Sequence, residues 1–309
     1  MIKSVTIINH LGESIVLDLF HPESSGFLIK SITGLGPVKA TVNTTELASG
    51  DGAIDNSARL ETRNIVLNLS FWDELENVET IRLRSYKYFP LKRNVTIIVT
   101  TDQRECYTVG RVESNEPDIF SEKEGCQVSI LCPDPFLYST ENKEIAYYGT
   151  SPAFEFPYEN ASVDSKVTEF GTVNTQTTGS IYYPGDSEVG VTLTIEAIGP
   201  AWGVAIYDNT SNQVIKIDDN RLKLIMGKDA LGAYHGISAG DTITMNTERG
   251  MKYITITRNG ETKNILNALN RPISWFQLYK GTNTFTYTAA YGLTNLRFKL
   301  ENRIIYEGI

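Results

Sequence analysis

Along most of the chain, apolar and polar residues alternate with a period of two, or apolar residues gather in short β-branched and aromatic runs between turn residues. Both patterns predict strands. In the first part of the chain they fall at 5–8, 14–19, 27–32, 39–43, 64–71, 94–101, 106–113 and 126–132. Within 64–71, Ile65, Leu67, Leu69 and Phe71 line one face while Val66, Asn68 and Ser70 point to the other. One segment departs from this pattern. Asp73 is placed to cap a helix with Glu74 and Glu76 in its first turn and Arg82, Arg84 and Lys87 later, a charge order that complements the helix dipole. Leu75, Val78 and Ile81 fall along one side, and Pro90 stops the winding.

The prolines in Cys132-Pro133-Asp134-Pro135, Ser151-Pro152 and Phe156-Pro157 interrupt regular structure. They predict an N-terminal domain over 1–133, a proline-rich linker over 134–155 and a C-terminal domain over 156–309. In the C-terminal domain strands are expected at 189–197, 203–207, 214–217, 223–226, 242–245, 252–258 and 296–300, with Asn259-Gly260 as a two-residue hairpin turn. Many short strands without crossover helices predict a mainly β protein: a β-rich first domain with one helix, then a β-sandwich or jelly roll.

Composition narrows the function more than the fold. With 309 residues, 41% hydrophobic and 21% charged, the chain has enough apolar material for two cores. Its formal net charge of -9, concentrated in residues 1–150, gives no reason to expect a surface that tracks nucleic-acid phosphates. The first residues lack the apolar stretch of a secretory signal and no run reaches membrane-helix length, so cytosolic synthesis without a membrane anchor is expected. Cys106, Cys126 and Cys132 match no zinc or thioredoxin spacing and read as reduced core residues.

Chemistry finds little support. Gly34-Leu35-Gly36-Pro37 begins like a dinucleotide fingerprint, but Lys39 stands where the third glycine belongs and a strand follows, so the segment reads as a turn. Lys228 lacks the flanking pattern of a phosphate loop. His10, His21 and His235 are isolated. The carboxylates Asp186, Glu188, Asp218 and Asp219 look like solvated turns, and Asp218-Asp219-Asn220 lacks calcium-loop spacing. No catalytic residue, metal ligand or cofactor site is nominated. Trp202, Tyr207, Tyr234 and Trp275 are the second-domain aromatics that could stack on a sugar; Trp202 and Tyr234 are the nominated glycan contacts, while Trp275 fits a buried strand over 273–278 better.

Several segments together resemble the distal tail proteins (Dit) of phages with long, non-contractile tails. They are Gly34-Leu35-Gly36-Pro37-Val38-Lys39-Ala40, Asn56-Ser57-Ala58-Arg59-Leu60 with Arg63-Asn64-Ile65, and Ser85-Tyr86-Lys87-Tyr88-Phe89-Pro90. To these add Val112 through Phe120, Glu124-Gly125-Cys126-Gln127, Cys132-Pro133-Asp134-Pro135, Gly281-Thr282-Asn283 and the ending Tyr306-Glu307-Gly308-Ile309. The likeness is weakest over 139–198. The resemblance implies a homo-hexameric ring built by the N-terminal domain, with galectin-like C-terminal β-sandwiches projecting from it and no inserted carbohydrate-binding module. It implies a structural, non-enzymatic hub of the virion tail tip, assembled in the host cytoplasm. Its expected partners are the tail-tube protein, a tail-associated hub or fibre protein and, in some phages, a receptor-binding protein.

On this reading Gly34, Leu35, Gly36 and Pro37 shape a turn at the ring interface. Arg59 and Arg63 pair either with a neighbour's carboxylates or within their own domain. The acidic first domain suits either a channel that repels DNA phosphates or solubility alone. The alternative function is a module that recognises host cell-wall glycan through the C-terminal domain.

Overall fold

The computed structural model describes residues 1–47, 50–72, 76–146, 148–152, 171–175, 177–227 and 236–309. It is mostly β, with two α-helices among the described residues. The chain divides into two compact units. Unit 1 holds Met1–Glu141 together with Ile305–Ile309, and unit 2 holds Asn142–Ile304.

Unit 1 contains β1 (Ile2–Ile8), β2 (Ser14–Asp18), β3 (Phe27–Thr33), β4 (Ala40–Glu46), β5 (Ala53–Leu60), β6 (Arg63–Phe71), helix α1 (Val78–Tyr88), β7 (Asn94–Thr101), β8 (Glu105–Asp118), β9 (Gly125–Cys132) and β10 (Leu137–Ser139). Its main sheet is antiparallel in the order β2-β1-β7-β8-β9-β6-β3, and β10 joins it through β8. Period-two burial follows the sequence pattern. In β6, Ile65, Leu67, Leu69 and Phe71 are buried and meet Val95, Ile97, Val128 and Ile130 in one apolar cluster. Each such side chain removed from water contributes roughly 1.5–3 kcal/mol.

Helix α1 covers this cluster with Ile81, and Phe89 just beyond its end is buried in the same core. The expected cap is corrected in one respect: Asn77 caps the helix, its side chain accepting the Glu79 N–H at 2.8 Å. Asp73, Glu74 and Leu75 lie outside the described residues. Cys106, Cys126 and Cys132 are all free and buried in unit 1.

Unit 2 is built from two main sheets. A six-stranded sheet runs in the order Lys143–Ala146, Leu296–Asn302, Thr192–Ala197, Thr242–Asn246, Tyr253–Arg258 and Glu261–Asn264. A four-stranded sheet runs Thr178–Tyr183, Gly281–Thr288, Ala205–Asp208 and Gln213–Lys216. Their inner faces meet: Tyr287 of the second sheet stacks on Phe298 of the first with ring centroids 3.5 Å apart. Burial there pushes the Tyr287 hydroxyl up to about 12. The arrangement is a β-sandwich. Asn259 and Gly260 both adopt positive φ between Arg258 and Glu261, forming the expected two-residue turn.

One element of unit 2 corrects the sequence expectation. The stretch 223–226 is not a strand but the end of helix α2 (Asp219–Met226), which buries Leu222. Asp218 sets its start by accepting the N–H groups of Asn220 and Arg221 at 3.0 and 3.1 Å.

Candidate functional site

In unit 1 the loop after β3 carries the predicted turn. Gly34 has φ +84°, and a Cβ there would overlap the Asn64 carbonyl, so glycine is required by both conformation and space. Gly36 and Pro37 are exposed, whereas Leu35 is buried in the core of its own unit. Arg63 also departs from the expectation of pairing with a carboxylate. It is 1% exposed at the start of β6, and its guanidinium donates to four backbone carbonyls: Pro135 at 2.9 Å, Gly36 at 2.9 Å, Glu307 at 2.7 Å and Gly34. Burial pulls its pKa below the usual guanidinium value. The fork geometry of arginine suits this role, because no other side chain offers five donors in one plane.

Those carbonyls fix the chain end. The terminal strand Ile305–Tyr306 pairs with β10, Arg104 lies 4.3 Å over the Tyr306 ring and donates to the Gly308 carbonyl at 3.0 Å, and the Ile309 N–H donates to the Leu35 carbonyl at 3.1 Å. Arg63 thus ties the turn, the segment after β9 and the last residues into one knot.

Beyond the turn, β4 pairs with β5 and, among the described residues, with no other strand. The ribbon is held by its ladder and by polar cross-strand bonds, Asn43 to Ser57 at 3.0 Å and Asn56 to Thr45 at 2.6 Å. Every residue of β5 is exposed, and so is nearly all of β4. Val42 and Ile54, each more than half exposed, and Leu60 project from it. Arg59 sits on β5 opposite Thr41, exposed and without an ion pair among the described residues. A two-stranded ribbon is marginal by itself in water, and apolar side chains on both strands leave it with surface to bury.

In unit 2, Trp202 and Tyr291 form a stacked pair with centroids 3.9 Å apart and planes within 10°. Their backbones exchange two N–H···O bonds of 3.2 Å. Gly203 and Gly292 follow them with φ of +67° and +72°. Trp202 lines a cleft of about 540 Å³ with Asp218, Asp219, Asn220, Lys223 and Asn270. Tyr234, the other nominated aromatic, lies outside the described residues, as do His235 and Lys228. Tyr207 is half-buried, and so is Trp275, which precedes the short strand Gln277–Leu278 rather than lying in the expected buried strand over 273–278; Lys252 stands 5.7 Å over its ring. Sequence reasoning missed Tyr291; the signal was available in the repeated aromatic-glycine pairs Trp202-Gly203 and Tyr291-Gly292.

His10 and His21 are exposed, His21 only 3.1 Å from the Glu23 carboxylate. Among the described residues no group of three His, Cys, Asp or Glu is arranged to hold a metal ion, and no helix is long and apolar enough to cross a membrane.

No protein-family model matches this chain, and no curated protein matches it. Among solved structures, the chain is similar to the Dit protein of phage SPP1, described as a paradigm of the hub adsorption apparatus in phages that infect Gram-positive bacteria. The TM-score is 0.59 at 14% identity, covering 98% of this chain and all of the other. Two structures of the phage P2 baseplate in its activated conformation, with Ca and with Sr, give TM-scores of 0.40 at 12% and 13% identity, too low to carry weight. The chain has the fold of a phage distal tail protein over nearly its whole length.

Proposed function

We propose that the chain is a distal tail protein, a structural hub whose N-terminal units close into a hexameric ring between the tail tube and the tail-tip proteins of a phage virion. The observation that carries this reading is the β4–β5 ribbon. A ribbon whose strands are exposed along both faces, set beside the arginine-tied turn, supports a heterologous contact in which each copy's ribbon lies against the next copy. Repeated by rotation, such a contact closes a ring. The shared fold with the SPP1 Dit protein agrees with it. The acidity of residues 1–150 suits a channel wall, since like charge keeps DNA phosphates off the surface within a Debye length of about 8 Å at physiological salt.

On this reading the partners are further copies of the chain, a tail-tube protein on one side and a tail-associated hub or fibre protein on the other. The work is done by surfaces rather than by a reacting group. Light-scattering mass measurement and negative-stain imaging of the full chain, alone and with the tail-tube and tail-tip proteins of the same phage, test it. Six-fold rings are expected. A single-chain mass at every concentration, with and without those partners, sinks the reading.

A further inference from the structure

The cleft beside Trp202 is one of two that meet at Asn270. The second, about 800 Å³, is lined on its charged side by Lys216, Arg221 and Arg271. The junction is built: the Asn270 N–H donates to the Lys216 carbonyl at 3.0 Å, and the first turn of α2 stands between, with Asp218 and Asp219 toward the indole and Arg221 toward the cations. We infer that this double cleft binds an anionic saccharide, one sugar ring resting on Trp202 and the acid group lying between Lys216 and Arg271.

Three features point to that ligand class. First, Trp202 is held in place by its stacking and its two backbone bonds to Tyr291, yet it remains 47% exposed. An aromatic ring that is fixed and still open costs little ordering entropy on binding, and a flat apolar face in a polar cleft matches the C–H face of a pyranose. Second, the walls beside the indole carry both donors and acceptors, as hydroxyl groups need. Asn270 and Lys223 donate. The Asn270 amide oxygen and the Asp218 carboxylate, 28% exposed, accept. Third, Lys216 and Arg271 are exposed and make no ion pair among the described residues. Bare cations on a concave surface whose lining, among the described residues, holds no carboxylate favour an acid group. Arg221 is less available, since Asp218 lies 3.6 Å from its Nε. A neutral glycan would leave those cations unused, and a nucleic acid would require a longer basic track than this.

The test is retention of the full chain on an array of bacterial polysaccharides whose repeats are neutral, uronic-acid-bearing or phosphate-bearing. The acid-bearing polysaccharides are expected to retain it, with the two acidic classes showing which anion is preferred. Trp202→Ala and the double variant Lys216→Gln/Arg271→Gln should each weaken retention at least tenfold, the double variant at the wild-type melting temperature. Tyr182→Ala, an exposed aromatic that lines neither cleft, should leave it unchanged. Background retention throughout overturns the inference, as does equal retention of neutral and acidic polysaccharides or indifference to the loss of Trp202. Because the array reads the chain whatever its oligomeric state, failure of ring formation and failure of saccharide binding are separate outcomes.

Discussion

At the scale of single residues, Arg63 and Trp202 behave oppositely. Trp202 is held against Tyr291 yet stays open. Arg63 is buried, and nothing in its sequence neighbourhood says so, because its acceptors at Gly34, Gly36, Pro135 and Glu307 come from three distant segments. Arg63→Met removes one charge but strands four carbonyls, so unit 1 should lose about 3 kcal/mol or more, read as a lower urea midpoint. Arg63→Lys, with three donors on one atom, should recover only part of it. The cysteines allow a pH prediction. Burial pushes the Cys106 thiol up to about 11 and the Cys126 thiol up to about 12. In the unfolded chain a thiol ionises near 8.5, so above that pH the unfolded state gains from losing its proton while the native state does not. Stability is therefore intact below about pH 8 and falls as pH rises toward 11–12. Urea midpoints measured from pH 7 to 11 should show the decline, and Cys126→Ala should flatten it.

At the scale of elements, strands with one buried face were legible: β6, β7 and β9 alternate because their inner residues join the cluster of unit 1. The signal failed where burial was absent or local. β5, with Ile54, Asp55, Asn56 and Ser57, has no buried face and so no alternation, although it is a full strand. In α2, Leu224, Ile225 and Met226 form a short apolar run that reads equally as strand, and Asp218 decides the matter by capping. The same lack of burial gives the ribbon a testable property. Val42→Asp with Ile54→Asp removes apolar surface that touches no core, so the melting temperature of the single chain should hold within a degree or two. Ring formation should be lost. A large fall in single-chain stability would mean that the ribbon is part of the core of unit 1.

At the scale of the whole molecule, unit 1 gives way to unit 2 after Glu141, and the return of Ile305–Ile309 to unit 1 left no mark in the hydrophobic pattern. Five residues are too few to show periodicity, and their partners lie at Leu137, Tyr138, Leu35 and Arg63, far back in the chain. Unit 2 is therefore an insertion in unit 1. Deleting 305–309 should lower the calorimetric transition of unit 1 and leave that of unit 2 in place; equal shifts in both would show that the units unfold together.

The arrangement also dates the maturation of unit 1. During synthesis Met1 to Glu141 is made first, yet β10 and Arg63 find their partners in Ile305–Glu307 only after all of unit 2 has been made. The turn beside the ribbon thus acquires its finished hydrogen bonds only after unit 2 has been made. Chains truncated before Ile305 should be cut by protease within unit 1 at sites that chains carrying Ile305–Ile309 protect.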